Sequence, residues 1–166
     1  MNKSNLLISV VFLLGFSSLE AGEVSTAKRP PNIVIVFTDD QGWGQAGFYE
    51  HPALLTPNLD ALARRGVLFE NCFTATNVTN PSHIALMTAV HPRDTMILNN
   101  YRPLIEDANT LAEQFREAGY ATIAITSANR LGHESSGLGQ GFDRMYRPRT
   151  PQVSAKHSID VLEFYL

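Results

Sequence analysis

Apolar and polar positions divide the chain into alternating strand-like and helix-like stretches. Ile33, Val34, Ile35, Val36 and Phe37 form a continuous apolar run rich in β-branched side chains and entered from Pro30 and Pro31. That pattern predicts a central strand covered on both faces. It delivers Asp39 and Asp40 to its carboxyl end, where open α/β sheets place their ligands. Gln41, Gly42, Trp43 and Gly44 follow as a turn whose glycines let the backbone approach a ligand closely. From Thr56 to Gly66 the chain predicts a short helix, with Thr56 as cap, Pro57 at the first helical position, Gly66 as stop, and Leu59, Leu62 and Ala63 as its buried face. The apolar stretch from Val67 to Phe73 predicts a second strand, which would place this helix in a βαβ unit.

Further along, the apolar residues from Ile84 to Val90 predict a helix starting around Pro81 and Ser82, with Thr79 and Asn80 at its amino-terminal mouth. Thr110 and Glu113 have capping-box spacing ahead of a helix whose buried face is Leu111, Ala112, Phe115 and Ala118, and Gly119 ends it. Tyr120 to Thr126 reads as a strand and Gly132 to Arg147 as a loop. Within that loop Gly137, Gly139 and Gly141 are spaced by two, but no strand leads directly into them and no helix follows, which rejects a dinucleotide-binding fingerprint. From Ser154 another helix begins and runs to Leu166 without a stop signal, the pattern of the first part of a longer protein.

Ahead of all this, Lys3 precedes a mostly apolar run from Leu6 to Phe16, followed by small and polar residues. It reads as a signal peptide over residues 1–22, cleaved near Ala21 or Gly22, with residues 23–31 as a linker and 32–166 as the domain. The run is shorter than the roughly 20 residues of a membrane-spanning helix, so no stable membrane anchor is expected and the protein is expected to be secreted or periplasmic. The 166 residues are 44% apolar and 17% charged with net charge -3, which fits one soluble α/β domain. Lys and Arg are scattered, which argues against a nucleic-acid partner. Cys72 is the sole cysteine, so no disulfide forms within the chain and it is expected to be buried.

Two adjacent ionised carboxylates repel each other, so a cation near Asp39 and Asp40 would keep both charged, and oxygen ligands favour a hard cation such as calcium or magnesium. The same pair can also simply shape a turn. At the predicted helix mouth, free backbone N–H groups and the helix dipole favour an anion, and a Thr79 hydroxyl beside a cation can serve as a nucleophile. Alternatively Thr79 only caps the helix, and His83 is a hydrogen-bonded structural histidine. Asn77, Val78 and Thr79 also form a glycosylation sequon.

Taken together, RPPNIVIVFTDDQGWG, TPNLDALARRGVLFENCFTAT, PSHIALMTAVHP, NTLAEQFREAGYATIAI and GLGQGFDRMY resemble, in order, the amino-terminal part of the sulfatase family within the alkaline phosphatase superfamily. The resemblance implies an α/β sandwich with a large mixed, mostly parallel sheet flanked by helices. It also implies hydrolysis of sulfate esters around a divalent cation, usually calcium, with Asp39 and Asp40 on the paired metal-binding aspartates and the remaining ligands beyond Leu166. Sulfatases of the best-known type carry Cys or Ser, any residue, Pro, any residue and Arg, the first being oxidised to formylglycine. Here that run is Thr79, Asn80, Pro81, Ser82 and His83, and the Lys, any residue, His pattern expected later is replaced by Ser127, Ala128 and Asn129.

Thr79 followed by Pro81 and His83 is similar to the nucleophile segment of phosphodiesterases of the same superfamily, which implies zinc or manganese instead. The expected function is therefore a metal-dependent hydrolase of sulfate esters in which Asp39, Asp40 and Thr79 hold the metal, Thr79 attacks, and His83 or Asn80 hydrogen-bonds the ester. Phosphodiesterase or phosphomonoesterase activity, or non-catalytic binding of sulfated or phosphorylated glycans, are the alternatives. The partner is a sulfate- or phosphate-ester small molecule or glycan in each case.

Overall fold

The computed structural model describes the backbone of residues 7–14 and the whole of residues 30–165. The chain forms two units, one made of residues 1–39 and 75–166 and the other of residues 40–74. The predicted cleavage site and most of the predicted linker lie outside the described residues.

The first unit is built on a four-stranded sheet of β1 (Leu7–Leu14), β2 (Ile33–Asp39), β3 (Ala121–Ile125) and β4 (Arg144–Tyr146), in the order β2-β1-β3-β4. β1 comes from the apolar leader run and is antiparallel to both neighbours, with Val10 opposite Val36 on one side and Ile125 on the other. β2 and β3 therefore share a direction, and β4 runs parallel to β3. The described residues thus give a small mixed sheet with helices, not a large sandwich. β2 is also not central: it lies at the sheet edge, and Val34 and Val36 remain 50% and 55% exposed. Its run of apolar residues matches a doubly covered strand, but among the described residues the face carrying Val34 and Val36 stays exposed.

Three helices of this unit follow the sequence pattern in most respects, and a fourth, short one was not expected. α2 spans Thr79–Thr88, two residues earlier than expected, and a short α3 follows at Pro92–Thr95. α4 (Leu111–Glu117) opens with the predicted capping box: Thr110 Oγ1 accepts from the Glu113 N–H at 3.2 Å, and the Glu113 carboxylate accepts from the Thr110 N–H at 2.8 Å. α6 (Ala155–Tyr165) is the helix expected from Ser154 onward.

Because side chains alternate along a strand, β3 serves two cores. Ile123 and Ile125 pack with Leu162 of α6, whereas Ala124 faces the side carrying His83 and Met87 of α2. On that second side Ile84, Met87, Ile97, Leu104, Ala112 and Leu131 close the larger core.

The segment 132–147, expected as loop, holds the short helix α5 (His133–Ser136) and β4. Its glycines are required by contact. Gly141, at φ 82, lies against the backbone of Ala112 and Glu113 at the start of α4, and Gly137, at φ 72, would place a Cβ 2.5 Å from the Leu104 carbonyl oxygen. Their spacing reflects packing of this segment on its neighbours.

In the second unit, a 3-10 turn at Gly47–Tyr49 accompanies α1 (Pro57–Arg65). Thr56 precedes α1 as expected but makes no side-chain cap. Its hydroxyl instead accepts from the Gly47 N–H and donates to Asp60 Oδ1, both at 2.8 Å. Leu59 and Leu62 are exposed, and no strand forms over residues 67–73, where Val67, Phe69 and Phe73 are exposed as well. A β-prone run without a neighbouring strand has nothing to pair its backbone with. Cys72, expected to be buried, is exposed in the same stretch.

Candidate active site

α2 sets the geometry around Thr79. The residue before the helix, Val78, is extended and offers no side-chain cap. Thr79 is the first helical residue and is half-buried, and among the described residues no partner of its hydroxyl is found. It therefore does not act as the cap.

His83 lies one turn further along, and its Nδ1 is 2.8 Å from the Thr79 carbonyl oxygen. A carbonyl only accepts, so Nδ1 carries the proton and Nε2 is a bare acceptor. Nε2 is buried without a partner, with the residue only 4% exposed. Burial holds the imidazole below its ordinary pKa, opposed by the bond to the Thr79 carbonyl and by the charge of Asp39. Phe37 of β2 meets the ring edge-on at 4.6 Å between centroids. β2 thus brings Asp39, two residues past Phe37, into electrostatic reach of His83. On its inner side His83 borders an apolar cavity of about 20 Å³ with Leu86, Met87, Ala124 and Phe142. This is room for roughly one water, so no ester enters from that side.

Asn80 is buried by contacts that sequence reasoning missed. Its backbone N–H donates to Asn100 Oδ1 at 2.8 Å, and its side-chain Nδ2 donates to the Arg102 carbonyl oxygen at 2.7 Å. Asn80 Oδ1 has no partner. Twenty residues separate Asn80 from Asn100, and an Asn-Asn pair in a loop carries no periodic signal that would link them.

Asp39 ends β2 half-buried, and among the described residues no basic group or donor pairs with its carboxylate. Asp40 opens the second unit, exposed and in the left-handed region at φ 57, a conformation Asp tolerates better than most residues. Unpaired carboxylates fit a hard divalent cation. Among the described residues no group of three His, Cys, Asp or Glu side chains gathers, so further ligands would have to come from elsewhere in the whole protein.

Ser127, where the Lys and His pattern was expected to begin, is fully buried with its hydroxyl 2.9 Å from that of Ser158 in α6. Ala128 is buried beside it, and its carbonyl accepts from Thr126 Oγ1 at 3.2 Å. This region is a packed joint between β3 and α6.

Residues 31–164 match the Sulfatase family. The chain is 35% identical over 156 residues to N-acetylgalactosamine-6-sulfatase of Rattus norvegicus, covering 85% of this chain and 28% of that protein. It is 37% identical over 100 residues to arylsulfatase A of Homo sapiens, covering 57% of this chain and 20% of that protein. It is 33% identical over 125 residues to N-acetylgalactosamine-6-O-sulfatase of Bacteroides thetaiotaomicron, covering 72% and 24%. No solved structure matches. The chain spans at most 28% of the length of these curated relatives. A family match running from the start of β2 to the end of α6, through Asp39, Asp40 and the α2 segment, means that this chain belongs to the sulfatase family.

Proposed function

We propose that the whole protein is a metal-dependent hydrolase of sulfate esters with Thr79 as its nucleophile. The observation that carries this reading is the place of Thr79: first residue of α2, half-buried, with a hydroxyl not spent on a cap. The positive end of the α2 dipole favours the anionic ester, although the Asn80 N–H is taken by Asn100, Pro81 has none and the Ser82 N–H bonds the Val78 carbonyl. Asp39, Asp40 and Thr79 would hold the cation, calcium being the family expectation, which polarises the ester and makes a threonine hydroxyl acidic enough to attack. Attack of Oγ1 on sulfur forms the Oγ1–S bond as the ester S–O bond breaks. The alcohol leaves with the proton, and water then cleaves the threonine sulfate.

In this reading His83 and Asn80 position the nucleophile: the His83 Nδ1–H holds the Thr79 carbonyl, and Asn80, bonded through its N–H to Asn100 and through its side-chain amide to the Arg102 carbonyl, anchors the helix start. Two of the relatives are named for N-acetylgalactosamine-6-sulfate chemistry, so a 6-sulfated amino sugar is the first natural-type substrate to assay.

A phosphate ester is the second reading, favoured by the run Thr79, Pro81 and His83. Turnover of aryl sulfate against aryl phosphate by the full-length protein separates the two. In either case Thr79→Ala should lower kcat by on the order of 10³-fold or more, and retention of most activity removes Thr79 from the chemistry. We also propose export of the protein with loss of the leader near Ala21 or Gly22, so that the mature chain lacks β1 and leaves β2 and β3, which share a direction, free to pair in parallel. Amino-terminal sequencing of the exported protein checks it, and a start at Met1 would refute it.

A further inference from the structure

α2 carries the candidate nucleophile on its first residue, yet its own sequence supplies no cap, because Val78 has no side-chain acceptor. The missing acceptor comes from elsewhere in the chain. Asn100 Oδ1 takes the Asn80 N–H at 2.8 Å, and the Arg102 carbonyl takes the Asn80 side-chain amide at 2.7 Å. Two bonds from one three-residue segment thus converge on a residue that is 2% exposed and directly follows Thr79. The segment is itself anchored on both sides. Ile97 and Leu104 are buried in the larger core, and the Leu104 N–H donates to the Ser136 carbonyl at 2.8 Å. Just before it, the Asn99 side chain accepts from the Tyr101 N–H at 3.0 Å, fixing the turn that presents Asn100.

We propose that Asn100 is a positioning residue for the reaction: it caps α2 in trans along the chain and so sets where the Thr79 hydroxyl stands. This rests on Thr79 being the nucleophile. Losing the acceptor at Asn100 frees the second helical N–H and lets the first turn of α2 relax, moving Thr79 out of line. Misplacement of a reacting group by about 1 Å costs on the order of 10²-fold in rate. An aspartate at the same position keeps an acceptor of the same length, and its negative charge suits a helix start. A purely packing role would leave exchange at the Asn80 amide unchanged.

The test uses full-length protein carrying Asn100→Ala, Asn100→Asp or Thr79→Ala, with two readouts. Hydrogen exchange at the Asn80 amide should speed up by at least about tenfold in Asn100→Ala, with the amides near Met87 unchanged, and return toward wild type in Asn100→Asp. Aryl sulfate kinetics should show kcat lowered by about 10–100-fold in Asn100→Ala with KM nearly constant, and restored to within a few-fold in Asn100→Asp. Unchanged exchange at Asn80, or a lowered thermal midpoint with kcat intact, overturns the proposal. Turnover surviving in Thr79→Ala instead overturns the nucleophile reading, while the exchange result still decides whether Asn100 holds the helix start. Should Asn100→Ala fail to fold, Asn100→Ser, whose hydroxyl is too short to keep the bond, replaces it.

Discussion

The Nδ1 atom of His83 donates to the carbonyl oxygen of Thr79 at 2.8 Å, tying a buried imidazole to the residue that begins α2. The bond fixes the tautomer, so that the ring turns a bare, unpartnered Nε2 to its other side. The bond ties the ring to the first turn of the helix, and burial makes the neutral ring resist protonation.

That resistance gives stability a pH dependence. Burial lowers the pKa of His83 in the folded protein, while in the unfolded chain it titrates near about 6.5. As pH falls through that value the unfolded state takes up a proton that the native state refuses, so the contribution present at higher pH is lost on acidification. The slope contributed by one such group is at most about 1.4 kcal/mol per pH unit. Denaturant unfolding of full-length wild type and His83→Gln from pH 8 to pH 5 should show the wild type losing more stability on acidification. Parallel pH profiles would mean that His83 is protonated without penalty.

Asp39 and Asp40 should bind the cation together with ligands from the rest of the protein. Chelation of the full-length protein should abolish ester hydrolysis and added calcium should restore it. Asp39→Asn should weaken calcium binding by more than the roughly 10–100-fold typical of an outer partner of a metal site. Calorimetric titration measures that affinity directly, and an unchanged value would exclude Asp39 as a ligand.

β2 exposes Val34 and Val36 on an edge strand, the kind of surface that pairs with other chains. The 166-residue chain expressed by itself should therefore self-associate, and Val36→Lys should raise the fraction eluting as monomer in size-exclusion chromatography. A wild-type chain that elutes as a monomer and unfolds cooperatively would contradict this. In the whole protein the same face is available to be covered by residues absent from this sequence.

What could be read locally was read from the sequence alone. The Thr110 and Glu113 capping box, Pro57 at the start of α1, the strand over Ala121–Ile125 and the helix after Ser154 all depend on neighbours a few residues away. So does the placing of Asp39 and Asp40 at a strand end, because the strand's composition and its carboxylates are contiguous. Tertiary structure alone decided which strands have neighbours. The apolar run of β2 and the partly apolar stretch 67–73 ended as an edge strand and as an exposed irregular stretch, since pairing depends on where another backbone lies. It also decided the surroundings of Thr79: the ring proton of His83 spent on a carbonyl, and the helix start capped by Asn100 from twenty residues away. Long-range hydrogen bonds leave no periodicity in a sequence, because they are selected by the folded positions of the atoms and not by spacing along the chain.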